Sequence, residues 1–351
     1  MSLSNTTFQK NNGSKSSHLL QPGTVYKKTI GSYTVHSGER TITCSLSSRL
    51  RKEFSYPTAD PHSLRRVVKK VKAIEHVDPI AIGDFVHYVE APDGTGMIVE
   101  VLPRHNRFAR KTAVPMPGAH AFEQVIVANI DQVVPVFAAA NPAPRWNMLD
   151  RYLVAAESLS LPVHICITKL DLVMDEKGVL NDEIAEVVSD YRRIGYPVTL
   201  VSAFTGAGLG DLGEALKSRI SVFVGKSGVG KSSLLNVLQP GLGLRVKEVS
   251  QATGKGRHTT SHLEMFPLEL GGSDGGAIVD TPGTREFGLW DVEQDDLALF
   301  FPEMRPLVGL CRFGLDCQHD EEPGCAVRQA VVAGQISPRR YQSYMHLHQD
   351  F

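Results

Sequence analysis

Gly225-Lys226-Ser227-Gly228-Val229-Gly230-Lys231-Ser232 follows the apolar run Ile220–Val224 and precedes Lys231–Leu238, a stretch patterned as a helix. G-x-x-x-x-G-K-S between a strand and a helix is a phosphate cradle. Its glycines let the backbone curl so that N–H groups and the following helix N-terminus face a β-phosphate. Lys231 reaches the β/γ oxygens, and Ser232 offers its hydroxyl to Mg²⁺. The whole segment from Gly225 through Lys226, Ser227, Gly228, Val229, Gly230, Lys231 and Ser232 to Ser233 is therefore expected to hold nucleotide phosphates.

Downstream, Asp280-Thr281-Pro282-Gly283 follows the apolar Ala277–Val279. About fifty residues after a phosphate cradle, a strand ending in D-x-x-G supplies a carboxylate to the magnesium shell (Asp280) and a glycine N–H to the γ-phosphate (Gly283). Between the two lies Gly254-Lys255-Gly256-Arg257-His258-Thr259-Thr260, glycine-rich and without apolar period. It suits a loop ordered by the γ-phosphate, with Thr259 or Thr260 completing the metal shell. Thr284 stands where a water-orienting glutamine is common, which leaves His258 as the candidate for that task, against the alternative that it packs or contacts RNA.

Upstream, apolar strands alternate with helical patterns: Gln132–Ala138, Asn147–Leu159, Val163–Ile167, Asn181–Ile194, Val198–Val201 and Leu209–Leu216. Such alternation predicts a parallel sheet with helices on both faces, whose ligands sit at the carboxyl ends of the strands. Thr168-Lys169-Leu170-Asp171 closes one strand. Its aspartate can accept from the ring N–H and exocyclic amine of guanine, which adenine does not offer there, while Lys169 lays its aliphatic stem over the base. Ser202-Ala203 closes the next strand and can give a backbone N–H to the guanine carbonyl.

The order is therefore base motif, Ser-Ala, phosphate cradle, loop threonines, D-x-P-G. This resembles the circularly permuted GTPases, since ordinary GTPases place the phosphate cradle first. Arg285–Leu289 (R-E-F-G-L), G-R-H-T-T and a Cys/His segment narrow the resemblance to the bacterial small-ribosomal-subunit-dependent GTPases, over residues 23–345. The resemblance implies a multidomain chain: an N-terminal oligonucleotide-binding (OB) β-barrel, a central α/β P-loop GTPase with permuted motifs, and a C-terminal zinc-binding helical domain. It also implies GTP hydrolysis to GDP and phosphate late in assembly of the small subunit, stimulated by that subunit, and it points to His258. One departure is Thr168, where the family carries Asn; the shorter side chain is expected to keep guanine selectivity through Asp171 at some cost in affinity.

The outer regions fit this plan. Residues 1–21 read as a polar tail, 22–120 as a barrel with a basic insertion, 121–292 as the GTPase domain and 293–351 as the zinc domain. Gly23–Thr29, Ser32–His36, Arg40–Ser45, Asp84–Glu90 and Met97–Leu102 read as five short strands. Residues 1–122 hold 17 Lys/Arg against 9 Asp/Glu, while the whole chain is −1, so the positive field is N-terminal and suits a polyanion such as rRNA. Arg65, Arg66, Lys69, Lys70, Arg104 and Arg107 are the candidate RNA contacts, and Phe108 is expected to pack rather than stack.

Cys311-x₅-Cys317-x-His319-x₅-Cys325 offers three thiolates and an imidazole, a set suited to one structural Zn²⁺. In the family the first interval is four residues and here it is five. Arg312, Arg328, Arg339 and Arg340 around it suggest a docking module. No run of ~18 apolar residues and no signal-peptide core is present, so a cytoplasmic monomer without membrane contact is expected. The alternative from another class is an RNA-binding zinc module whose nucleotide site is a slow or inert switch.

Overall fold

The computed structural model describes residues 19–55, 80–111, 123–242, 263–269, 276–280 and 292–350. The candidates Arg65, Arg66, Lys69, Lys70, His258, Thr259, Thr260 and Gly283 lie outside these. The chain divides into two compact units, Met1–Asn129 and Ile130–Phe351.

In the first unit, β1 (Gln21–Thr29), β2 (Ser32–Ser37), β3 (Arg40–Leu46), β4 (Phe85–Glu90) and β5 (Gly96–Val101) form a five-stranded barrel, with α1 (Ser48–Ser55) after β3. Strand order is β1-β2-β3-β5-β4, and β4 pairs back onto β1 to close it. All neighbours are antiparallel except β3 and β5. Alternation puts Val25, Tyr33, Val35, Ile42, Cys44, Val86, Tyr88 and Ile98 inside. Bulges at Val25/Lys27 and His87/Tyr88 give the curvature that closure needs. This is the expected oligonucleotide-binding type of barrel. A ribbon of β6 (Arg107–Lys111) and β7 (Glu123–Ala128) follows, with Phe108 buried as expected.

The second unit carries β8 (Gln132–Ala138), α2 (Trp146–Ser158), β9 (Ile165–Thr168), α3 (Asp182–Ile194), β10 (Val198–Leu200), α4 (Leu209–Leu216), β11 (Ile220–Val224), α5 (Lys231–Leu238), β12 (Glu264–Leu268) and β13 (Gly276–Asp280). Its strands run in the order β10-β9-β8-β11-β13-β12. All are parallel except β12, which is antiparallel to β13. Local chemistry sets the helix ends: Asn181 accepts from the Ile184 N–H at 3.1 Å to start α3, and Gly195 at φ 110° ends it. Strand β12 has no clear sequence signature, because Pro267 interrupts what would otherwise read as a β run.

After residue 292 the chain is built from 3₁₀ turns and two helices, α6 (Ala326–Val332) and α7 (Pro338–Gln349). Val154 of α2 lies in one buried cluster with Leu297, Phe301, Met304, Tyr344, Leu347 and the three cysteines. The C-terminal segment therefore packs directly on α2.

Candidate functional site

The carboxyl ends of the parallel strands bring the base motif and the phosphate cradle together. Gly225 follows β11 with its Cα against β8, where a Cβ would meet the Val136 carbonyl at 2.3 Å. Gly230, at φ 99°, caps α5, a left-handed conformation that a bulkier residue adopts only at a cost. The loop between them is fixed by its neighbours. Lys231 donates to the carbonyls of Gly225 at 2.5 Å and Lys226 at 3.4 Å. Burial draws its ammonium below the usual lysine range, and the Asp280 carboxylate opposes that shift. The two charges expected at the phosphates and the metal thus feel one another, with Asp280 buried at the end of β13. Ser232 and Ser233 open α5 and are half-buried.

Thr168 is buried, and its hydroxyl donates to the Val229 carbonyl of the phosphate loop at 2.5 Å, with the Phe137 carbonyl at 3.2 Å beside it. Lys169, held at φ 59°, donates to the Gly228 carbonyl at 2.8 Å and to the Asn141 carbonyl. Burial lowers the Lys169 ammonium while Asp171 opposes. The base motif therefore braces the phosphate loop through two side chains.

Asp171 follows Leu170 in a 3₁₀ turn after β9, and Leu170 hangs by its N–H on the Val201 carbonyl. Ser202 Oγ donates to Asp171 Oδ1 at 2.5 Å and accepts from the N–H groups of Phe204 at 3.2 Å and Thr205 at 3.1 Å. One carboxylate oxygen is thus oriented by Ser202. Ala203 is half-buried, and Phe204 after it is 89% exposed. No local pattern signals the Ser202 hydroxyl or the Asn141 carbonyl, since each bond joins segments about thirty residues apart.

Two sets of cations sit elsewhere than expected. Arg104 grips Asp84 through Nε at 2.6 Å and a terminal nitrogen at 2.7 Å. Asp84 is fully buried and also accepts from the Ala81 N–H, so Arg104 neutralises the barrel's own charge rather than facing RNA. Arg107, by contrast, is exposed on β6. Arg340 is fully buried: it donates to Asp150 at 2.6 Å and to both oxygens of Glu303 at 2.6 and 3.1 Å. Arg339 reaches Asp150 at 3.4 Å and the Tyr191 hydroxyl at 3.0 Å. These two arginines bind the chain to itself and are not docking cations; Arg312 and Arg328 are exposed.

The ligand atoms of Cys311, Cys317, His319 and Cys325 lie within 4.8 Å of one another, all four residues buried. His319 turns Nδ1 toward Cys311 Sγ at 3.4 Å and Cys325 Sγ at 3.5 Å. Burial foremost, together with the neighbouring thiols, pushes the Cys317 thiol up to about 12. Such thiols ionise against a bound cation, and three thiolates with one imidazole fit tetrahedral zinc. The interval between Cys311 and Cys317 contains the 3₁₀ turn Gly314–Asp316.

A family model described as RsgA GTPase matches residues 101–290. A small ribosomal subunit biogenesis GTPase RsgA from Gemmatimonas aurantiaca is 47% identical over 270 residues, 76% of this chain and 83% of that protein. One of the same name from Pseudomonas aeruginosa is 43% identical over 268 residues, 76% of this chain and 75% of its own. Among solved structures, YjeQ from Thermotoga maritima matches with a TM-score of 0.70 at 31% identity, covering 95% of this chain and 98% of that one. YloQ, described as a circularly permuted GTPase, matches with a TM-score of 0.65 at 30% identity, covering 95% of each. With its base motif ahead of a phosphate cradle that the same motif braces, and with this similarity along its length, the chain belongs to the RsgA GTPase family and is a GTP hydrolase.

Proposed function

We propose that this protein hydrolyses GTP on the immature small ribosomal subunit, is stimulated by it, and leaves it as GDP and phosphate form. The observation that carries the nucleotide half is the bracing of the phosphate loop by Thr168 and Lys169, next to an aspartate whose Oδ1 accepts from the Ser202 hydroxyl. The ribosomal half rests on relatives named as small-subunit biogenesis GTPases and on the basic N-terminal third.

In this reading Asp171 selects guanine, a backbone N–H of Ser202 or Ala203 meets its carbonyl, and Lys231 together with the N–H groups of Gly228 to Ser233 holds the phosphates. Mg²⁺, arriving with GTP, would be held by Ser232, by Asp280 and by Thr259 or Thr260, and would neutralise charge on the phosphates. His258 orients the water. Arg65, Arg66, Lys69, Lys70 and Arg107 meet rRNA, and one Zn²⁺ per chain shapes the C-terminal segment. The protein acts as a cytoplasmic monomer; no described helix is long and apolar enough to cross a membrane.

The test is GTP hydrolysis at fixed low salt with small subunits, with large subunits, and alone. Stimulation by the small subunit alone is expected, falling steeply as salt rises. Equal rates in all three would leave the hydrolase and remove the ribosomal assignment.

A further inference from the structure

His319 sits at φ 61°, a left-handed conformation uncommon for a residue with a side chain, in the short turn that also carries Cys317. Two of the four ligands therefore depend on a turn that the chain does not favour by itself. Four backbone groups of that turn are held from outside the ligand set. Glu322 accepts from the Gln318 N–H at 2.9 Å with one carboxylate oxygen and from the Asp320 N–H at 2.8 Å with the other. Tyr341 donates its hydroxyl to the His319 carbonyl at 2.6 Å, and Tyr344 donates to the Gln318 carbonyl at 3.0 Å. Both tyrosines stand on α7, which the buried arginine network ties to α2.

The division of labour is chemical. An anionic acceptor shared by two N–H groups makes charge-assisted bonds, the strong kind, and here they straddle the imidazole ligand. With each carboxylate oxygen engaged by a backbone N–H, Glu322 is occupied as an acceptor rather than as a fifth ligand. Glu321, its neighbour, is exposed and stays out of the turn.

We propose that Glu322 is the positioning residue of the metal site: it holds the Cys317–His319 turn in its left-handed form, so that thiol and imidazole converge on the ion and release it slowly. This rests on the reading of the Cys₃His cluster as a zinc site. Groups behind a metal's ligands typically govern affinity by 10–100-fold.

The test uses the full-length, zinc-loaded protein and the rate at which an excess of chromophoric chelator captures the metal. Glu322→Ala is expected to release zinc about 10-fold or more faster than the parent. Glu322→Gln, which keeps one acceptor oxygen without the charge, should fall between, and Glu321→Ala should match the parent. The Co²⁺-substituted Glu322→Ala protein should keep the parent's thiolate charge-transfer bands, since the donor set is unchanged. Should Glu322→Ala fail to fold, the Glu322→Gln rate carries the comparison. Release at the parent rate from both variants, or a changed Co²⁺ spectrum showing that Glu322 is itself a ligand, overturns the proposal. A parent protein that retains no zinc overturns the metal assignment and the proposal together.

Discussion

Thr168 occupies a position where relatives were expected to carry Asn, and its hydroxyl spans the gap to the Val229 carbonyl at 2.5 Å. The shorter side chain still reaches the phosphate loop. Replacing Thr168 by Ala strands a buried carbonyl, a loss of about 1–3 kcal/mol, so GDP affinity measured by calorimetry should fall about 10-fold or more. Asp171→Asn changes the sense of the bond: an amide nitrogen then faces guanine donors, while a base bearing a carbonyl there, xanthine, gains a partner. GTP binding should fall by about 100-fold and XTP should compete better than GTP, two charge-assisted bonds being at stake. An unchanged GTP/XTP preference would remove Asp171 from the base pocket. At this scale the sequence is legible where chemistry is local, as in the glycine spacing or the T-K-L-D run. Ser202's hydroxyl was not legible, because its partner Asp171 becomes a neighbour only when the segments after β9 and β10 are laid side by side.

Parallel strands covered on both faces announce themselves as apolar runs, and the strand Ile220–Val224 has the bounds its pattern predicts, as does the helix Leu209–Leu216 from its own period. The five barrel strands were equally readable from alternation and glycine turns, differing by a residue or two at their ends. Among the elements that the pattern does not announce is β12, whose Pro267 argues against a strand although its pairing with Ala277 holds one. Elements also set what the phosphate loop tolerates. A methyl at Gly225 would lie 2.3 Å from the carbonyl of Val136, backbone that β8 cannot withdraw while paired to β9 and β11. Gly225→Ala is therefore expected to lower the urea-unfolding free energy by about 1–3 kcal/mol, as overpacking does, and to weaken nucleotide binding as well. Full stability and full binding in that variant would show that the loop is not seated against β8.

Within the second unit, the link between its beginning and its end is ionic and buried. Asp150 of α2 accepts from Arg340 at 2.6 Å and from the Tyr191 hydroxyl at 2.6 Å, and Glu303 completes the fork around Arg340. Burial works against the Arg340 charge, yet Asp150 and Glu303 hold its guanidinium well above the ordinary arginine range. In a polar helix of sequence P-R-R-Y-Q-S-Y, two arginines look like solvent-facing or docking cations. Only a partner 190 residues away reveals them as internal, which is why composition misassigned them. Taking one partner from a buried pair is costlier than never having had the pair, because the remaining charge is left without water or counterion. Asp150→Ala should therefore cost about 3–5 kcal/mol in urea unfolding, against little for the exposed Arg151–Asp350 pair, broken by Asp350→Ala. Because α7 also carries the tyrosines that hold the Cys317–His319 turn, Asp150→Ala should further hasten zinc release, although residue 150 touches no ligand. Loss of stability with zinc release unchanged would mean that the network merely fills the interior; loss of both would make α2 and α7 one working part, joining the nucleotide-binding sheet to the metal.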